Sequence, residues 1–273
     1  MNRRPIGVFD SGIGGLTVVR ELLHQLPHES LIYFGDTARV PYGNKSPATV
    51  RRYAREILDF LVAREVKMVV VACNTASAHA LEELKRVAAV PVEGVIDPGA
   101  RAAVAASRSG RIGVIGTAGT IASGAYERAI HAQAGTATVV AKACPLFVPL
   151  VEEGWLDHPA TRLVAEAYLG GLAAHEIDTL VLGCTHYPLL RGVIAEVAGP
   201  SVALVDSGAE TACMTQARLE ALGLARRGPE RGRCTVFVTD RPQRFREIGT
   251  AFLGEPLESV EVVDQSDLPW YER

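Results

Sequence analysis

The chain lacks the features that mark several common protein classes. Its 273 residues contain no uninterrupted apolar run of 18 or more, and no apolar signal-peptide core near the start. Neither a membrane-spanning helix nor a secretory leader is therefore expected, and a cytoplasmic location is the default. The formal net charge is only −3, so the basic field typical of nucleic-acid and membrane-surface binders is missing.

Cysteine is scarce, and no Cys-x-x-Cys pair occurs. The odd number and irregular spacing argue against a disulfide framework, and free cysteines are usually small buried hydrophobic residues. A Walker A pattern is also absent, which argues against an NTPase. The five cysteines are Cys73, Cys144, Cys184, Cys213 and Cys234.

Short β-rich runs alternate with longer segments of helical period. The apolar runs are continuous rather than alternating, which is typical of parallel strands covered on both faces. Alternation of strands and helices predicts an α/β fold with mainly parallel sheets flanked by helices. Strands are predicted at 5–10, 31–35, 67–73, 90–96, 111–116, 137–142, 178–184, 201–206 and 234–240, and helices at 16–26, 46–65 and 158–176.

Two pairs of similar segments form an internal repeat. IGVFDSG (6–12) resembles IGVIGTA (112–118), and VVVACNTASA (69–78) resembles LVLGCTHYPL (180–189). The spacing from Gly7 to Cys73 is 66 residues, and the spacing from Gly113 to Cys184 is 71 residues. We therefore expect two similar lobes related by a pseudo-two-fold axis, with corresponding strand ends facing one cleft.

The repeat suggests where the chain passes from one lobe to the other. We expect lobe one to comprise residues 1–97 and lobe two residues 98–208, with residues 209–273 returning to lobe one. No low-complexity linker marks either crossing, so the prediction rests on the repeat.

The stretch GIGG (12–15) follows a predicted strand and invites a dinucleotide-binding interpretation, with Asp36 as the ribose-binding acid. The fingerprint requires Gly or Ala at its sixth position, where this chain has Thr17. A tight turn that offers backbone N–H groups to an anion such as a carboxylate fits better. The loop at 35–46 is either a surface turn or a segment whose backbone approaches a small ligand.

Cys73 and Cys184 each end a predicted strand just before a helix, where the helix dipole is expected to lower a thiol pKa from about 8.5 toward neutrality. With His186 they could offer three metal ligands, but only one Cys-x-His pair is local, which fits a zinc site poorly. A hydrolase dyad of Cys184 and His186 would not account for the matching thiol in the other lobe.

Two equivalent thiols facing one small site favour a nearly symmetric reaction. In racemisation or epimerisation one group removes a proton from a carbon, and the other delivers a proton to the opposite face. Asp10 and His186 would then be auxiliary groups, one beside each thiol. A module that binds an acidic metabolite without chemistry is the alternative from another class. The segment 143–155, with Glu152, is either a wall of the site or an apolar stretch ending in a solvated helix.

Five motifs, GVFDSGIGGLTV, YFGDTARVPYG, ACNTASA, CPLFVPLVEEG and LVLGCTHYPLL, together resemble the glutamate racemases of the cofactor-independent aspartate/glutamate racemase superfamily. The similarity runs from residue 5 to about 215 and implies two α/β lobes with the site between them. Aspartate racemases resemble GCTE at the second cysteine motif, whereas this chain has GCTH (183–186). The resemblance therefore favours free glutamate as the substrate.

The resemblance also implies roles for individual residues. Cys73 would act on the α-proton of D-glutamate and Cys184 on that of L-glutamate, assisted by Asp10 and His186. It implies no pyridoxal phosphate, nucleotide or metal, a role in supplying D-glutamate for peptidoglycan synthesis, and commonly a homodimer. The implied substrate-binding residues are Asp10, Ser11, Pro41, Tyr42, Gly43, Asn74, Thr75, Thr117, Thr120, Glu152, Thr185 and His186.

Overall fold

The computed structural model describes residues 2–263, in which ten strands form two parallel sheets. The predicted α/β class is confirmed. The strands are β1 (Ile6–Asp10), β2 (Leu31–Gly35), β3 (Met68–Val71), β4 (Val92–Gly94), β5 (Arg111–Gly116), β6 (Thr138–Ala143), β7 (Thr179–Gly183), β8 (Ala203–Asp206), β9 (Cys234–Val238) and β10 (Val260–Val262).

The two sheets share one strand order. The first has six strands in the order β10-β9-β2-β1-β3-β4, and the second has four in the order β6-β5-β7-β8. The order β2-β1-β3-β4 thus recurs as β6-β5-β7-β8, which confirms the two similar lobes expected from the repeat. We call the six-stranded sheet with its helices the first lobe, and the four-stranded sheet with its helices the second lobe.

Helices connect the strands, and their sequence patterns fit this position. In α2 the buried residues recur at helical spacing, from Val50 and Ala54 to Ile57, Leu58 and Leu61, so one face packs against the sheet. The helices are α1 (Leu16–Gln25), α2 (Pro47–Val62), α3 (Asn74–Val87), α4 (Ile96–Ala106), α5 (Ala118–Ala122), α6 (Ala125–Gln133), α7 (Phe147–Glu152), α8 (Pro159–Leu169), α9 (Arg191–Ala198), α10 (Gly208–Ala221) and α11 (Pro242–Leu253). Short 3₁₀ turns occupy Tyr42–Asn44, Ala173–His175 and Tyr187–Leu190.

The strand order determines where a ligand can bind. β1 lies between β2 and β3, and β5 lies between β6 and β7, all in parallel register. The chain leaves β1 toward β2 on one side and β3 lies on the other, so a crevice opens at the carboxyl ends of β1 and β3. The same holds for β5 and β7. Among the described residues no helix is both long and apolar enough to cross a bilayer.

The structure adjusts several predicted elements. The strand predicted at 90–96 is shorter, because the chain enters α4 at Ile96, and 97–99 lies in the first turn of that helix. β10 was not predicted, since its three residues form too short a pattern. Strands β9 and β10 pair within the first sheet. The lobe boundaries at 97/98 and 208/209 stay predictions, and residues 264–273 lie outside the described part.

Candidate active site

The two cysteines at the carboxyl ends of β3 and β7 line the same cavity. Cys73 caps the N-terminus of α3, where its Sγ accepts a hydrogen bond from the Ala76 N–H at 3.4 Å. Its thiol also lies 3.7 Å from Oγ of Ser11, at the end of β1. Cys73 is 5% exposed and Cys184 is 7% exposed, so both thiols are shielded from solvent.

The cavity is small, about 20 Å³, and residues from both lobes enclose it. Such a volume is close to the least that holds one water molecule. Most of the site residues predicted from sequence line it. The lining residues are Ser11, Val40, Pro41, Tyr42, Gly43, Cys73, Asn74, Thr75, Thr117, Val148, Cys184, Thr185 and His186.

Three predicted residues, Asp10, Thr120 and Glu152, lie one contact behind the cavity wall. Asp10 is buried at the end of β1, where its carboxylate accepts hydrogen bonds from the Gly12 N–H at 2.9 Å and from Oγ1 of Thr185 at 3.4 Å. Burial raises the pKa of Asp10, against the lowering effect of His186. Asp10 therefore connects the first lobe to the residue that follows Cys184.

His186 links Cys184 to Glu152. Its Nδ1 is 3.9 Å from Sγ of Cys184, and its Nε2 is 3.0 Å from Oε1 of Glu152 at the end of α7. Burial acts to lower the pKa of His186, but the hydrogen bonds to Cys184 and Glu152 outweigh it and raise the pKa to about 10. The ring can thus carry a proton next to the Cys184 sulfur at neutral pH.

The expected lowering of the Cys73 pKa is wrong. Burial, and next the negative charge of Asp10, raise the pKa of Cys73 to about 12, although the Ala76 N–H and Ser11 act in the opposite direction. The dipole of one helix end contributes too little to offset the removal of a thiolate from water. Cys73 is consequently a protonated thiol at neutral pH.

Three threonine hydroxyls join the lobes at one side of the cavity. Oγ1 of Thr75 in α3 lies 2.9 Å from Oγ1 of Thr117 and 3.1 Å from that of Thr120. Thr117 and Thr120 are 3.0 Å apart, and Thr117 caps α5 by accepting from the Thr120 N–H. Each hydroxyl can rotate, so the cluster can donate to a ligand oxygen without losing all its internal bonds.

The loop after β2 approaches the second lobe closely. A Cβ at Gly43 would lie 2.6 Å from Cβ of Thr117, so this position has no room for a side chain. Tyr42 lines the cavity, but its hydroxyl donates to the buried carboxylate of Asp36. The backbone of the loop therefore approaches the other lobe, and the tyrosine hydroxyl is engaged away from the cavity.

Asp36 supports this loop. Its carboxylate accepts from Nε of Arg39 at 2.8 and 3.0 Å and from Oγ1 of Thr239 at 3.1 Å. The side chain is fully buried, so it is not placed to bind a ribose as the dinucleotide interpretation required. The partner Thr239 lies 203 positions from Asp36, so no local sequence pattern indicates that Asp36 supports this loop.

Tyr126 contacts a cavity-lining residue, but it was not predicted from the sequence as part of the site. It lies in α6 of the second lobe, and its hydroxyl donates to Oδ1 of Asn74 at 2.7 Å. No motif surrounds it, and Asn74 is 52 positions away in the sequence, so no local signal could have revealed the contact.

The other three cysteines, Cys144, Cys213 and Cys234, do not line the cavity. Within residues 2–263, no three His, Cys, Asp or Glu side chains are grouped to hold a metal ion.

Two parallel-sheet lobes that each present a strand-end cysteine to a shared cavity define a class of two-lobed α/β enzymes with paired thiols. Residues 6–237 match the sequence model of the Asp/Glu/Hydantoin racemase family. The chain therefore belongs to the Asp/Glu/Hydantoin racemase family, a family of isomerases.

Similarity to known members extends over nearly the whole chain. A glutamate racemase of Geobacter metallireducens is 56% identical over 94% of this chain and 95% of its own. The crystal structure of a glutamate racemase isoform from Bacillus anthracis superposes with a TM-score of 0.93 at 40% identity, over 97% of this chain and 99% of that one. A glutamate racemase of Francisella tularensis, solved in complex with D-glutamate, has a TM-score of 0.90 at 40% identity, covering 97% and 98%.

Proposed function

We propose that the protein interconverts L-glutamate and D-glutamate, with Cys73 and Cys184 as the two acid/base groups. The observation that carries the proposal is the placement of these thiols after corresponding strands of two similar sheets, against one cavity. The names of the similar proteins support glutamate as the substrate.

In the proposed reaction one cysteine, as a thiolate, removes the proton from the substrate α-carbon. The bonding pair stays on that carbon, and the other cysteine, as a thiol, delivers its proton to the opposite face. The first cysteine leaves the step as a thiol and the second as a thiolate, so charge and protons balance. General acid–base catalysis of this kind needs each group in the correct protonation state at the start.

The surroundings of the two thiols favour one starting state. Burial and Asp10 hold Cys73 as a thiol, with a pKa of about 12. Cys184 lies beside His186, whose pKa of about 10 lets it carry a proton that stabilises a neighbouring thiolate. We infer that Cys73, held as a thiol, is ready to act as the acid, which is its role when the enzyme acts on L-glutamate.

The polar lining fits an amino acid with two carboxylates. Hydroxyl groups of Ser11, Thr75 and Thr117 face the cavity and can donate to carboxylate oxygens. We propose that the loop after β2 contributes backbone groups at Tyr42 and Gly43, because the tyrosine hydroxyl is already bound to Asp36. A cavity of about 20 Å³ is smaller than glutamate, so the site must enlarge before the substrate can enter.

Several wider features belong to the same proposal. We propose that the reaction needs no added cofactor, takes place in the cytoplasm and supplies D-glutamate for peptidoglycan synthesis. A homodimer is the expected assembly. The lack of a cofactor, the role in peptidoglycan synthesis and the homodimer follow from the family resemblance, and gel filtration with light scattering tests the homodimer.

Circular dichroism with L-glutamate in heavy water tests the central proposal. The optical activity should disappear, and α-deuterium should enter the product, while aspartate assayed alongside should react far more slowly. Cys73→Ser and Cys184→Ser should each nearly abolish racemisation, whereas the matched control Cys213→Ser, at an exposed position outside the cavity, should be fully active. Full activity of either site variant would overturn the two-cysteine mechanism.

A further inference from the structure

One buried polar atom in the cavity wall has no hydrogen-bond partner. Within residues 2–263, Nδ2 of Asn74 is the buried side-chain nitrogen or oxygen left without one. Asn74 is the first residue of α3 and lines the cavity beside Cys73. A buried donor left unsatisfied is unfavourable, so such an atom indicates an acceptor that arrives with a ligand.

The other end of the same amide is held firmly. Oδ1 of Asn74 accepts a hydrogen bond from the Tyr126 hydroxyl at 2.7 Å. Burial raises the pKa of Tyr126, so the hydroxyl keeps its proton at neutral pH and remains a donor. With Oδ1 fixed on Tyr126, the NH₂ group is the part of the amide left to meet a ligand in the cavity that Asn74 lines.

Packing determines where the Tyr126 ring lies. A Cβ at Gly183 would be 3.0 Å from Cε2 of the ring, and a Cβ at Gly99 would be 3.1 Å from Cε1 and from the hydroxyl oxygen. Both contacts are tighter than ordinary van der Waals spacing, so two glycines make the space for this ring. Gly183 is the last residue of β7 and directly precedes Cys184, so the ring packs against the end of this strand.

We propose that Tyr126 is a positioning residue that orients the Asn74 amide so that its Nδ2 donates to a substrate carboxylate. The inference rests on the proposed function, since glutamate supplies the carboxylate. An amide NH₂ group only donates, so its partner is an acceptor such as a carboxylate and not the substrate ammonium. Asn74 belongs to the first lobe and Tyr126 to the second. The binding group is therefore complete only when the lobes are together.

Tyr126→Phe removes the hydroxyl and keeps the ring. The KM for glutamate should rise about tenfold, the size expected for a weakened hydrogen bond to a charged group. The kcat should stay within about threefold, because the carboxylate is held equally in the ground and transition states. The matched control is Tyr168→Phe. In the wild type, the hydroxyl of Tyr168 in α8 lies outside the cavity and accepts a hydrogen bond from the Leu146 N–H at 3.2 Å.

Variants of Asn74 test the direction of the amide. Asn74→Asp keeps an oxygen for Tyr126 but places a carboxylate oxygen where Nδ2 was, so its KM should rise more than that of Asn74→Ala. Adding Tyr126→Phe to Asn74→Ala should change KM less than about twofold, because the tyrosine acts through the amide. The melting temperature of every variant shows whether it is folded.

The outcomes separate this inference from the proposed function. Wild-type enzyme that does not racemise glutamate would overturn the proposed function itself. If wild type is active but Tyr126→Phe has the same KM as Tyr168→Phe, the positioning role is wrong. The role is also wrong if the rise in KM in the double variant equals the product of the rises in Tyr126→Phe and Asn74→Ala, because the two residues would then act independently. A near wild-type KM for Asn74→Asp would show that the amide presents its oxygen to the cavity.

Discussion

Glu152 and His186 form a hydrogen-bonded pair, with Oε1 of the carboxylate 3.0 Å from Nε2 of the ring. The imidazole is buried, whereas the carboxylate side chain is 29% exposed. The other ring nitrogen is 3.9 Å from Sγ of Cys184, so the three groups run in series from the protein surface to the cavity. Such an orienting carboxylate fixes the tautomer of a histidine and stabilises its protonated form.

Replacing Glu152 should move the pH profile of the enzyme. Glu152→Gln removes a negative charge and so lowers the pKa of His186 from about 10. The alkaline limb of kcat/KM for L-glutamate should shift to lower pH, as a proton-carrying His186 is lost sooner. The matched control is Glu153→Gln, because the neighbouring carboxylate pairs with Arg244 at the surface. An unchanged alkaline limb would contradict the role of the pair.

The same pair contributes to stability in a defined pH range. The folded pKa of His186 lies above its unfolded value of about 6.5. Its stabilising contribution is therefore complete below about pH 6.5 and is lost as the pH rises through about 10. The difference in melting temperature between wild type and Glu152→Gln should be largest near pH 6.5, should shrink as the pH rises toward about 10, and should be absent above it.

The architecture could be predicted from the sequence because the internal repeat consists of short local sequence patterns. β2 and β5 match the predicted ranges residue for residue, since each is a continuous apolar run with clear ends. The pairing of Cys73 with Cys184 followed from the matched strand ends. The contacts that support the site could not be predicted the same way. Asp36 depends on Thr239, and Asn74 depends on Tyr126, across 203 and 52 positions.

The prediction of a lowered pKa for Cys73 failed for a related reason. A helix N-terminus is visible in the sequence, but the degree of burial and the nearby Asp10 carboxylate depend on how the strand ends meet in space. Desolvation is the larger effect for a group 5% exposed. The local pattern therefore predicted the position of the thiol correctly and its ionisation wrongly.

Gly14 is predicted to be essential for a reason different from anion binding. A Cβ there would lie 2.2 Å from Oγ1 of Thr185 and 2.5 Å from Nδ1 of His186. Gly14→Ala should displace these side chains and lower kcat/KM by about 100-fold, the effect of a displacement near 1 Å in an active site. The control is Gly192→Ala in α9, which meets nothing within 4 Å and should be active and slightly more stable. Normal activity of Gly14→Ala would mean that the site tolerates the shift.

The buried ion pair of Lys67 with Glu29 should determine how much a mutation of Lys67 lowers the stability of the protein. Its Nζ is paired with Glu29 and also donates to the Leu224 carbonyl at 2.8 Å. Lys67→Met leaves the Glu29 carboxylate buried without its cation, which should lower the free energy of unfolding by about 3–5 kcal/mol in urea denaturation. Lys85→Met is the control, since it breaks an exposed pair with Glu82 worth about 0–1 kcal/mol. Equal losses in both variants would refute the argument from burial.

Asp178 is predicted to stabilise the second lobe in a pH-dependent way. Its carboxylate accepts from Oγ of Ser107 and from the Arg108 N–H, each at 2.7 Å, and from the Ser109 N–H at 2.6 Å, which fixes the turn before β5. Partial burial acts to raise the pKa of Asp178, but these hydrogen bonds outweigh it and hold the pKa well below its usual range.

Because the folded pKa of Asp178 is depressed, its contribution is fully present above the unfolded pKa of about 3.9 and is lost as the pH falls toward the folded value. Asp178→Asn keeps one acceptor oxygen but not the charge, so its melting temperature should be lower than that of wild type at pH 7. The gap should narrow steadily below about pH 4, as the wild-type carboxylate takes up a proton. Asp157→Asn, at an exposed position elsewhere in the second lobe, should show no such pH dependence. A gap for Asp178→Asn that is the same at pH 7 and pH 3 would show that its hydrogen bonds do not depend on the charge.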